Sequence, residues 1–244
     1  MKVAFQEIVS HLGEFVSPAR LKRLTDVSQA RTNNLVLVLD RVNNDHNISA
    51  ILRSADAFGV NQIHIVESNF DNSSGVSKGS ERWLSIQSHS SDKEVIDLLN
   101  STGHKIVVLQ PKYHPTQNSP EPKHSALEQS TCKQSVPVFN LPFHDKLALV
   151  FGNENLGVSK EFQNMATYYS YIPMLGFVES LNVSVACAIT LFCSLISSAN
   201  AQRQVPALGI EEQQQLLASW LVKDINNGEA VLERLLTPTT PVAK

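Results

Sequence analysis

The hydrophobic positions of this chain follow two different periods, and their alternation predicts the class of fold. Residues 35–39 and 147–151 are continuous apolar runs rich in aliphatic side chains, which is typical of strands buried on both faces of a sheet. Between these runs, apolar residues recur at helical spacing, as in residues 48–58. Strands that alternate with helices predict an α/β fold built on a parallel sheet.

The remaining segments fit the same alternation. Further strands are predicted at residues 63–66, 105–109 and 170–172, and further helices at residues 92–100, 159–166, 181–199 and, as one or two helices, 210–236. An apolar stripe at helical spacing precedes the first strand, formed by Phe5, Ile8, Val9, Leu12 and Phe15. Ser17-Pro18 then predicts the cap and first residue of a second helix.

These elements divide the chain into three predicted parts. Residues 1–32 form a helical extension, residues 33–203 form the α/β domain, and residues 204–244 form a second helical extension. Inside the α/β domain, residues 111–142 contain six prolines. We expect this stretch to be an irregular insertion rather than a separate domain.

Composition narrows the class of protein without identifying it. The 244 residues, 42% hydrophobic and 18% charged, fit a globular protein with one substantial core. The formal net charge of −3 argues against coating nucleic acid through bulk charge, but it allows a local basic face. Three cysteines without metal-ligand spacing predict a reducing compartment, with neither a disulfide framework nor a metal site.

The chain also lacks a pattern typical of membrane or export signals. Its first residues carry an early acid and no apolar core of signal-peptide length. The longest apolar region, residues 183–196, is too short to span a bilayer. We therefore expect a cytoplasmic protein with no membrane partner.

The second predicted helix carries a local excess of positive charge. Four basic residues stand against the single acid Asp26: Arg20, Lys22, Arg23 and Arg31. Such a run is typical of a solvated helix face, and it also suits a helix that contacts phosphates. The two interpretations stay open on charge alone.

Polar residues gather at the predicted carboxyl ends of strands, where parallel sheets bind ligands. The first such segment holds Asn47 near a helix start and Arg53 among apolar neighbours. Helix capping would explain Asn47 equally well. A planar, permanently charged guanidinium in an apolar setting indicates a carboxylate or phosphate partner.

The second segment is a turn that follows the strand at residues 147–151. Gly152 and Gly157 allow close backbone approach, and Glu154 is the one ionisable group between them. The glycine spacing matches neither a P-loop nor a dinucleotide-binding turn. A structural turn and a ligand-binding turn are equally consistent with it.

The third segment, residues 172–184, is the most specific. It begins with an extended apolar stretch containing Pro173 and Gly176, whose irregular backbone can offer amides and carbonyls to a flat group such as adenine. Glu179, Ser180 and Asn182 follow within four positions. Capping would explain one polar residue here, whereas three favour a binding site.

Together the segments resemble the three motifs of the SpoU (TrmH-like) RNA 2′-O-ribose methyltransferases of the SPOUT superfamily. The motifs are N-x-S-A-x-x-R from Asn47, F-G-x-E-x-x-G from Phe151 and I-P-M-x-G-x-V-x-S-L-N-V-S-V-A from Ile172. They occur in order within residues 35–203. The basic helix and the helices after the core are similar, more weakly, to those of the tRNA guanosine-2′-O-methyltransferase branch.

The resemblance implies a fold, a cofactor and an assembly. The C-terminal part of the sheet would be threaded into a deep trefoil knot, which pattern reasoning alone does not predict because knots are nearly absent from proteins. S-adenosyl-L-methionine would bind in this knot, and two copies would form a homodimer. The matched cofactor positions are Phe151, Gly152, Ile172, Met174, Leu175, Gly176 and Leu181.

The resemblance also implies the reaction, methylation of a ribose 2′-hydroxyl in RNA, with a tRNA guanosine as the favoured substrate. The matched catalytic positions are Arg53, Asn47, Glu154, Ser180 and Asn182. Arg53 would assist loss of the hydroxyl proton, either as a base or electrostatically. The residues expected to contact RNA phosphates are Arg20, Lys22, Arg23, Arg31, Lys78 and Arg82.

Three alternatives remain. Asn44-Asp45 stands where the tRNA-modifying branch often has Lys-Pro, and the long insertion and mild acidity add to this departure, so ribosomal RNA stays open as the substrate. The N-x-S-A-x-x-R motif argues against methylation of a base. Intact Arg53, Glu154 and Asn182 argue against a catalytically silent RNA-binding protein.

Overall fold

A computed structural model describes residues 5–67, 79, 81–111, 135–200 and 207–236. Lys78 and residues 112–134 of the predicted insertion lie outside this part of the chain. The chain divides into two compact units. Asn33–Pro206 carries the sheet, and Met1–Thr32 together with Ala207–Lys244 forms a helical unit.

The larger unit is built on a seven-stranded sheet in which all neighbouring strands are parallel. The strands are β1 (Leu35–Asp40), β2 (Gln62–Val66), β3 (Ser85–His89), β4 (Lys105–Leu109), β5 (Ser135–Pro137), β6 (Leu147–Gly152) and β7 (Tyr168–Tyr171). Their order across the sheet is β3-β2-β1-β6-β4-β7-β5. The predicted parallel α/β class is confirmed.

Helices connect β1 to β2, β3 to β4 and β6 to β7, and the remaining helices precede or follow the strands. The helices are α1 (Phe5–Gly13), α2 (Pro18–Gln29), α3 (Asp45–Ala57), α4 (Asp92–Thr102), α5 (Lys160–Met165), α6 (Val183–Asn200), α7 (Ile210–Asp224) and α8 (Gly228–Leu236). None of the helices in the described part of the chain is long and apolar enough to cross a membrane.

The side chains of β1 enter two separate cores, because successive residues of a strand point to opposite faces of the sheet. Leu37 and Leu39 pack in a core that includes apolar residues of α3 and α6. Val36 and Val38 pack on the other face, in a core that includes residues of α4 and α5. The sheet therefore lies between two helical layers, which explains why β1 is a continuous apolar run.

Local signals define the helix ends, with one shift from the prediction. The Ser17 hydroxyl caps α2 by accepting a hydrogen bond from the backbone N–H of Arg20 at 3.2 Å. Helix α4 ends at Gly103, whose φ of 76° is a left-handed conformation that suits glycine. Helix α3 begins earlier than predicted because Asn44, and not Asn47, is its cap.

The prediction missed two strands, and both lie at edges of the sheet. Strand β3 contains a single aliphatic residue, Ile86, and β5 is three residues long and includes Pro137. An edge strand forms a ladder on one side only, so it tolerates proline and needs little apolar burial. The described end of the insertion, predicted to be irregular, thus contains a strand.

The last strands of the unit return into the middle of the sheet. Strand β6 lies between β1 and β4, and β7 lies between β4 and β5. Each therefore pairs with a strand formed much earlier in the chain. The trefoil knot implied by the resemblance stays a prediction.

Both ends of the chain contribute to the helical unit. Helices α1 and α2 pack against α7, and α8 packs against α1 and α7. Leu12, Leu24 and Trp220 are among its buried residues. Arg31 is also fully buried, with its guanidinium carbon 5.3 Å from the centre of the Trp220 ring.

Candidate active site

The carboxyl ends of the strands meet at one edge of the sheet, and the three polar segments begin there. Strand β1 ends at Asp40 and β6 at Gly152, and these two residues are register partners. Helix α3 follows β1, the glycine turn follows β6, and residues 172–182 follow β7. This edge is where open parallel sheets bind ligands.

A continuous chain of hydrogen bonds joins all three segments. Asn47 Nδ2 donates to Glu154 Oε1 at 2.6 Å, and Asn182 Nδ2 donates to Asn47 Oδ1 at 3.0 Å. Asn182 Oδ1 accepts from the backbone N–H and the hydroxyl of Ser184, at 2.9 and 2.6 Å. The structure therefore brings together three of the five predicted catalytic residues.

Helix α3 fixes the position of Asn47 through its cap and its buried face. The Asn44 side chain caps the helix, accepting from the backbone N–H of His46 and of Asn47 at 3.0 and 3.2 Å. Ile48 and Ile51 on the same helix are fully buried in the core. The half-buried Asn47 amide is thus left free of capping and serves the hydrogen bonds between segments.

The turn that carries Glu154 is closed by contacts that only glycine permits. Asn153 and Gly157 exchange two backbone hydrogen bonds, at 3.1 and 2.9 Å. A Cβ added to Gly152 would lie 2.3 Å from the carbonyl carbon of Gly157, and Gly157 itself has a φ of 71°. The two glycines therefore fix a compact turn rather than a flexible one.

Residues 172–182 form neither helix nor strand, as Pro173 and Gly176 predict for the start of this segment. The strand predicted to reach Ile172 ends at Tyr171, and the helix predicted from Leu181 begins at Val183. Within the described part of the chain, residues 174–181 make no backbone hydrogen bond. Leu175 and Phe177 are fully exposed. Apolar surface beside unused backbone donors and acceptors suits a flat heteroaromatic ligand, so this segment fits the expected adenine-binding role.

Arg53 and Ser180 lie outside the hydrogen-bond chain. Arg53 is exposed on α3, six residues beyond Asn47 and so about 9 Å further along the helix axis. Considering described residues only, the side chains of Arg53 and Ser180 have no hydrogen-bond or ion-pair partner. Arg53 thus has no carboxylate partner there, and its charge is available to a ligand.

The predicted cofactor positions differ in how much of each residue a ligand can reach. The Phe151 side chain is buried in the core, which leaves only its backbone at the edge of the sheet. The half-buried positions are Gly152, Ile172, Met174 and Leu181, and the exposed ones are Leu175 and Gly176. This distribution suits recognition through main-chain groups.

An ionic cluster that the sequence did not predict lies at the same edge. Arg41 follows β1 and donates to Asp40, to Asp92 at 2.9 and 3.0 Å, and to Glu67 at 3.1 and 2.8 Å. The hydrogen bond to Asp92 and the charges of Asp40 and Asp92 raise the pKa of Arg41, while burial raises the pKa of Asp40. Two partners are 26 and 51 positions from Arg41, so no local spacing reveals the cluster.

Two of the basic residues predicted to contact RNA are engaged in ion pairs. Arg20 Nη2 lies 2.8 Å from Asp224 Oδ1, with the Arg20 side chain 37% exposed. Lys22 Nζ lies 2.7 Å from Asp26 Oδ2 on the same exposed face of α2. Both basic groups remain accessible to solvent, so a phosphate could compete with these carboxylates.

The other predicted RNA contacts are divided. Arg23 and Arg82 are exposed, whereas Lys78 is outside the described residues. Arg31 is buried against Trp220, where a phosphate cannot reach its guanidinium. This placement gives Arg31 a packing role and removes it from the proposed contact set.

A parallel α/β sheet with a polar cluster at its carboxyl edge is typical of enzymes that bind a ligand there. Comparison with known proteins identifies the family. A model of the SpoU rRNA Methylase family matches residues 34–192. The tRNA (guanosine(18)-2′-O)-methyltransferase of Borreliella burgdorferi is 32% identical over 189 residues, covering 76% of this chain and 77% of that protein. The protein of the same name from Thermus thermophilus is 33% identical over 218 residues, covering 84% and 97%.

A solved structure agrees with these sequence matches. The crystal structure of the A. aeolicus TrmH/SpoU tRNA modifying enzyme is similar with a TM-score of 0.67 and 29% identity, covering 86% of this chain and 98% of that one. This chain therefore belongs to the SpoU methylase family and is a methyltransferase. The resemblance predicted from the three motifs is confirmed.

Proposed function

We propose that this protein transfers a methyl group from S-adenosyl-L-methionine to the ribose 2′-hydroxyl of a guanosine in tRNA. The observation that carries the proposal is the hydrogen-bonded chain of Glu154, Asn47 and Asn182, which unites the three family motifs at one edge of the sheet. The relatives named tRNA (guanosine(18)-2′-O)-methyltransferases favour tRNA over ribosomal RNA.

Residues 172–182 and the start of the turn after β6 are the proposed cofactor site. The unused backbone donors and acceptors of residues 174–181 support this assignment, since adenine is recognised by such groups. When bound, the cofactor supplies an electrophilic sulfonium methyl group. The residues proposed to hold it are Phe151, Gly152, Ile172, Met174, Leu175, Gly176 and Leu181.

The side chains of the site would orient the ribose before reaction. Asn47 and Asn182 fix each other through their amides, and Asn47 also fixes Glu154, so their polar atoms are held in place without substrate. Pre-positioned groups remove part of the entropic cost of aligning two reactants. Ser180, exposed in the same segment, would add a hydroxyl to this set.

Arg53 would supply the charge that the reaction needs. The 2′-hydroxyl would release its proton to solvent as it attacks, and negative charge develops on its oxygen as the proton leaves. A guanidinium normally stays protonated, so we assign Arg53 an electrostatic role rather than that of a base. Its exposed position, with no partner among the described residues, supports a contact with the ribose oxygen or a neighbouring phosphate.

The proposed RNA-contacting residues are Arg20, Lys22, Arg23, Lys78 and Arg82. Contacts of this kind neutralise phosphates and weaken with salt. Because tRNA is the proposed substrate, we place the enzyme in the cytoplasm.

A homodimer is the proposed assembly. Helix α6 carries exposed apolar residues, of which Val185, Phe192 and Ile196 recur at helical spacing with exposures between 42% and 52%. Leu195 beside them is 52% exposed. Contiguous exposed apolar side chains mark an interaction surface, and a second copy of the chain would cover it.

Methylation of defined RNAs by the purified full-length chain tests the proposed function. We expect one 2′-O-methylguanosine per tRNA transcript by nucleoside mass spectrometry, and no transfer to a transcript with 2′-deoxyguanosine at position 18. A methyl group on the base would contradict ribose methylation. Methylation of 23S ribosomal RNA alone would replace the substrate, and RNA binding without transfer would favour a silent binding protein.

A further inference from the structure

The ionic cluster around Arg41 connects the ends of three elements of the sheet unit. Its guanidinium pairs with Asp40 at the end of β1, with Glu67 directly after β2, and with Asp92 at the start of α4. The backbone N–H of Arg41 also donates to the Val66 carbonyl at 3.0 Å. Arg41 therefore ties the end of β2 and the start of α4 to the end of β1, at the edge where the site lies.

Asp40 and Arg41 also hold the two ends of the turn that carries Glu154. At its start, Asn153 Nδ2 donates to the backbone carbonyl of Arg41 at 2.9 Å. At its end, the backbone N–H of Ser159 donates to Asp40 Oδ2 at 2.6 Å. Glu154 lies between these two attachment points, and its carboxylate accepts the hydrogen bond from Asn47.

The Asp40 carboxylate needs Arg41 to remain in this position. Asp40 is fully buried, and an unpaired buried carboxylate is costly. Its two oxygens are divided between the Arg41 guanidinium and the Ser159 N–H. Loss of the guanidinium would therefore weaken the attachment of the turn as well as the cluster itself.

The backbone of Arg41 supports the same interpretation. Its φ is 55°, in the left-handed region that residues other than glycine and asparagine rarely adopt. Glu67, one of its partners, has a φ of 44°. A residue held in this conformation is fixed by its surroundings, and here those surroundings are the contacts that end on the turn.

We propose that Asp40 and Arg41 are positioning residues that hold the 153–159 turn, and with it Glu154, against Asn47 and Asn182. The proposal rests on the proposed function, because Glu154 is placed in the site by the same argument. Asp40 and Arg41 do not act on the substrate themselves. Their effect is expected to pass through the position of Glu154.

Arg41→Asn is the variant that tests this most directly, since asparagine tolerates a positive φ and is too short to replace the guanidinium. We expect kcat for tRNA methylation to fall by about ten-fold or more, with KM for tRNA changed less than about two-fold, because a small displacement of a positioning group costs turnover. Asn153→Asp removes the N–H donor to the Arg41 carbonyl but keeps the oxygen that accepts from the backbone N–H of Asn155 and Leu156, and it should act in the same direction.

Lys105→Ala is the matched control. Lys105 pairs with Asp145 at 2.7 Å, at the amino ends of β4 and β6 and so at the opposite edge of the sheet. We expect it to leave kcat unchanged. This control separates the effect of losing any ion pair from the effect of losing the Arg41 cluster.

A double-mutant comparison tests whether the effect passes through Glu154. In a Glu154→Gln background, Arg41→Asn should lower kcat by less than about two-fold further, because coupled residues are not additive. An equal fall of kcat in both backgrounds would overturn the proposal. A merely structural role for Arg41 would give that equal fall.

Hydrogen exchange separates this proposal from the proposed function, since it needs no activity. Arg41→Asn and Asn153→Asp should speed amide exchange in residues 153–159 while β1 and β6 keep their protection, and Lys105→Ala should not. Unchanged exchange in the turn would overturn the positioning role even in an active enzyme. A wild-type chain that methylates no RNA would instead overturn the proposed function, and exchange would still decide the role of Arg41.

Discussion

Asn47 has one amide, and each half of it is used toward a different segment of the site. The amide nitrogen donates to Glu154, and the amide oxygen accepts from Asn182. Aspartate could not donate at this position, and alanine would leave both partners without it. The sequence allowed Asn47 to be a helix cap, but Asn44 serves that purpose and leaves Asn47 to connect the motifs.

Arg53→Ala is expected to abolish methyl transfer while the cofactor still binds. Removing a group that stabilises developing charge lowers kcat by about 100-fold or more. The cofactor Kd should change little, because the proposed cofactor residues lie at the end of β6 and after β7, whereas Arg53 lies on α3. Single-turnover kinetics and calorimetry measure the two quantities separately.

Arg234→Ala is the control for this variant, since Arg234 is an exposed arginine of the helical unit. It should retain wild-type turnover. Strong residual turnover by Arg53→Ala would remove Arg53 from the centre of the mechanism. Loss of cofactor binding by Arg53→Ala would show that Arg53 contributes to binding instead.

His64 is expected to make the fold sensitive to acid. The residue is 2% exposed, with its Nδ1 3.0 Å from His89 Nε2. Burial, followed by repulsion from His89 and His104, lowers the pKa of His64 to about 4, from an ordinary value of 6.5. The unfolded chain therefore binds this proton more tightly than the folded chain does. The free energy of unfolding should fall by up to about 3 kcal/mol as the pH drops from about 6.5 to about 4.

His64→Gln should flatten this dependence, because glutamine does not titrate. Urea unfolding between about pH 7 and about pH 4.5 gives the slope for each variant. His46→Gln is the control, since His46 is exposed on α3, and its slope should equal that of the wild type. If His64→Gln kept the wild-type slope, His64 would not be the source of the acid sensitivity.

At the scale of elements, the turn after β6 depends on glycine for its shape. The backbone of Gly157 and Val158 passes so close to Gly152 that a Cβ would lie 2.3 to 2.4 Å from their atoms. Backbone atoms cannot rotate away as a flexible side chain can. Asn153 and Gly157 would have to separate, and the Glu154 carboxylate would move with them.

Gly152→Ala is therefore expected to lower the free energy of unfolding by about 3 kcal/mol and to reduce kcat together with it. Gly176→Ala is the matched stability control, because a Cβ there meets nothing within 4 Å. It should change the free energy of unfolding by less than about 0.5 kcal/mol. Denaturant unfolding of both variants measures this, and equal stability of the two would mean that the turn opens at little cost.

The strands that the sequence predicted are those whose burial appears as a local run of apolar residues. Continuous apolar runs revealed β1 and β6, because both strands are covered on both faces. Strands β3 and β5 lie at the edges, and their residues carry no comparable run. Pattern reasoning therefore predicts the centre of this sheet better than its borders.

The site divides in the same way. Its three polar segments are visible because each is a short local pattern with unusual chemistry. The cluster around Arg41 is not, since its partners are brought together only by the parallel pairing of β1, β2 and β3. The prediction that Arg31 contacts RNA is wrong for a similar reason. The position of Arg31 in a run of basic residues does not reveal that it is buried against Trp220, which is distant in sequence.

At the scale of the whole molecule, the two ends of the chain form one helical unit, and the sheet and all three motifs lie in the other. Cofactor and ribose chemistry are therefore assigned to the sheet unit. Four of the five proposed RNA contacts are described residues, and three of these, Arg20, Lys22 and Arg23, belong to the helical unit.

The proposed homodimer makes a prediction at this scale. Leu195→Glu places a charge on the exposed apolar surface of α6, where it would have to be desolvated in a packed interface. We expect the wild-type chain to sediment as a dimer and Leu195→Glu as a monomer in analytical ultracentrifugation. Ile210→Glu is the control, because Ile210 is 75% exposed in the helical unit, and it should remain dimeric. A monomeric wild-type chain would contradict the dimer itself, whereas a dimeric Leu195→Glu variant would move the interface away from α6.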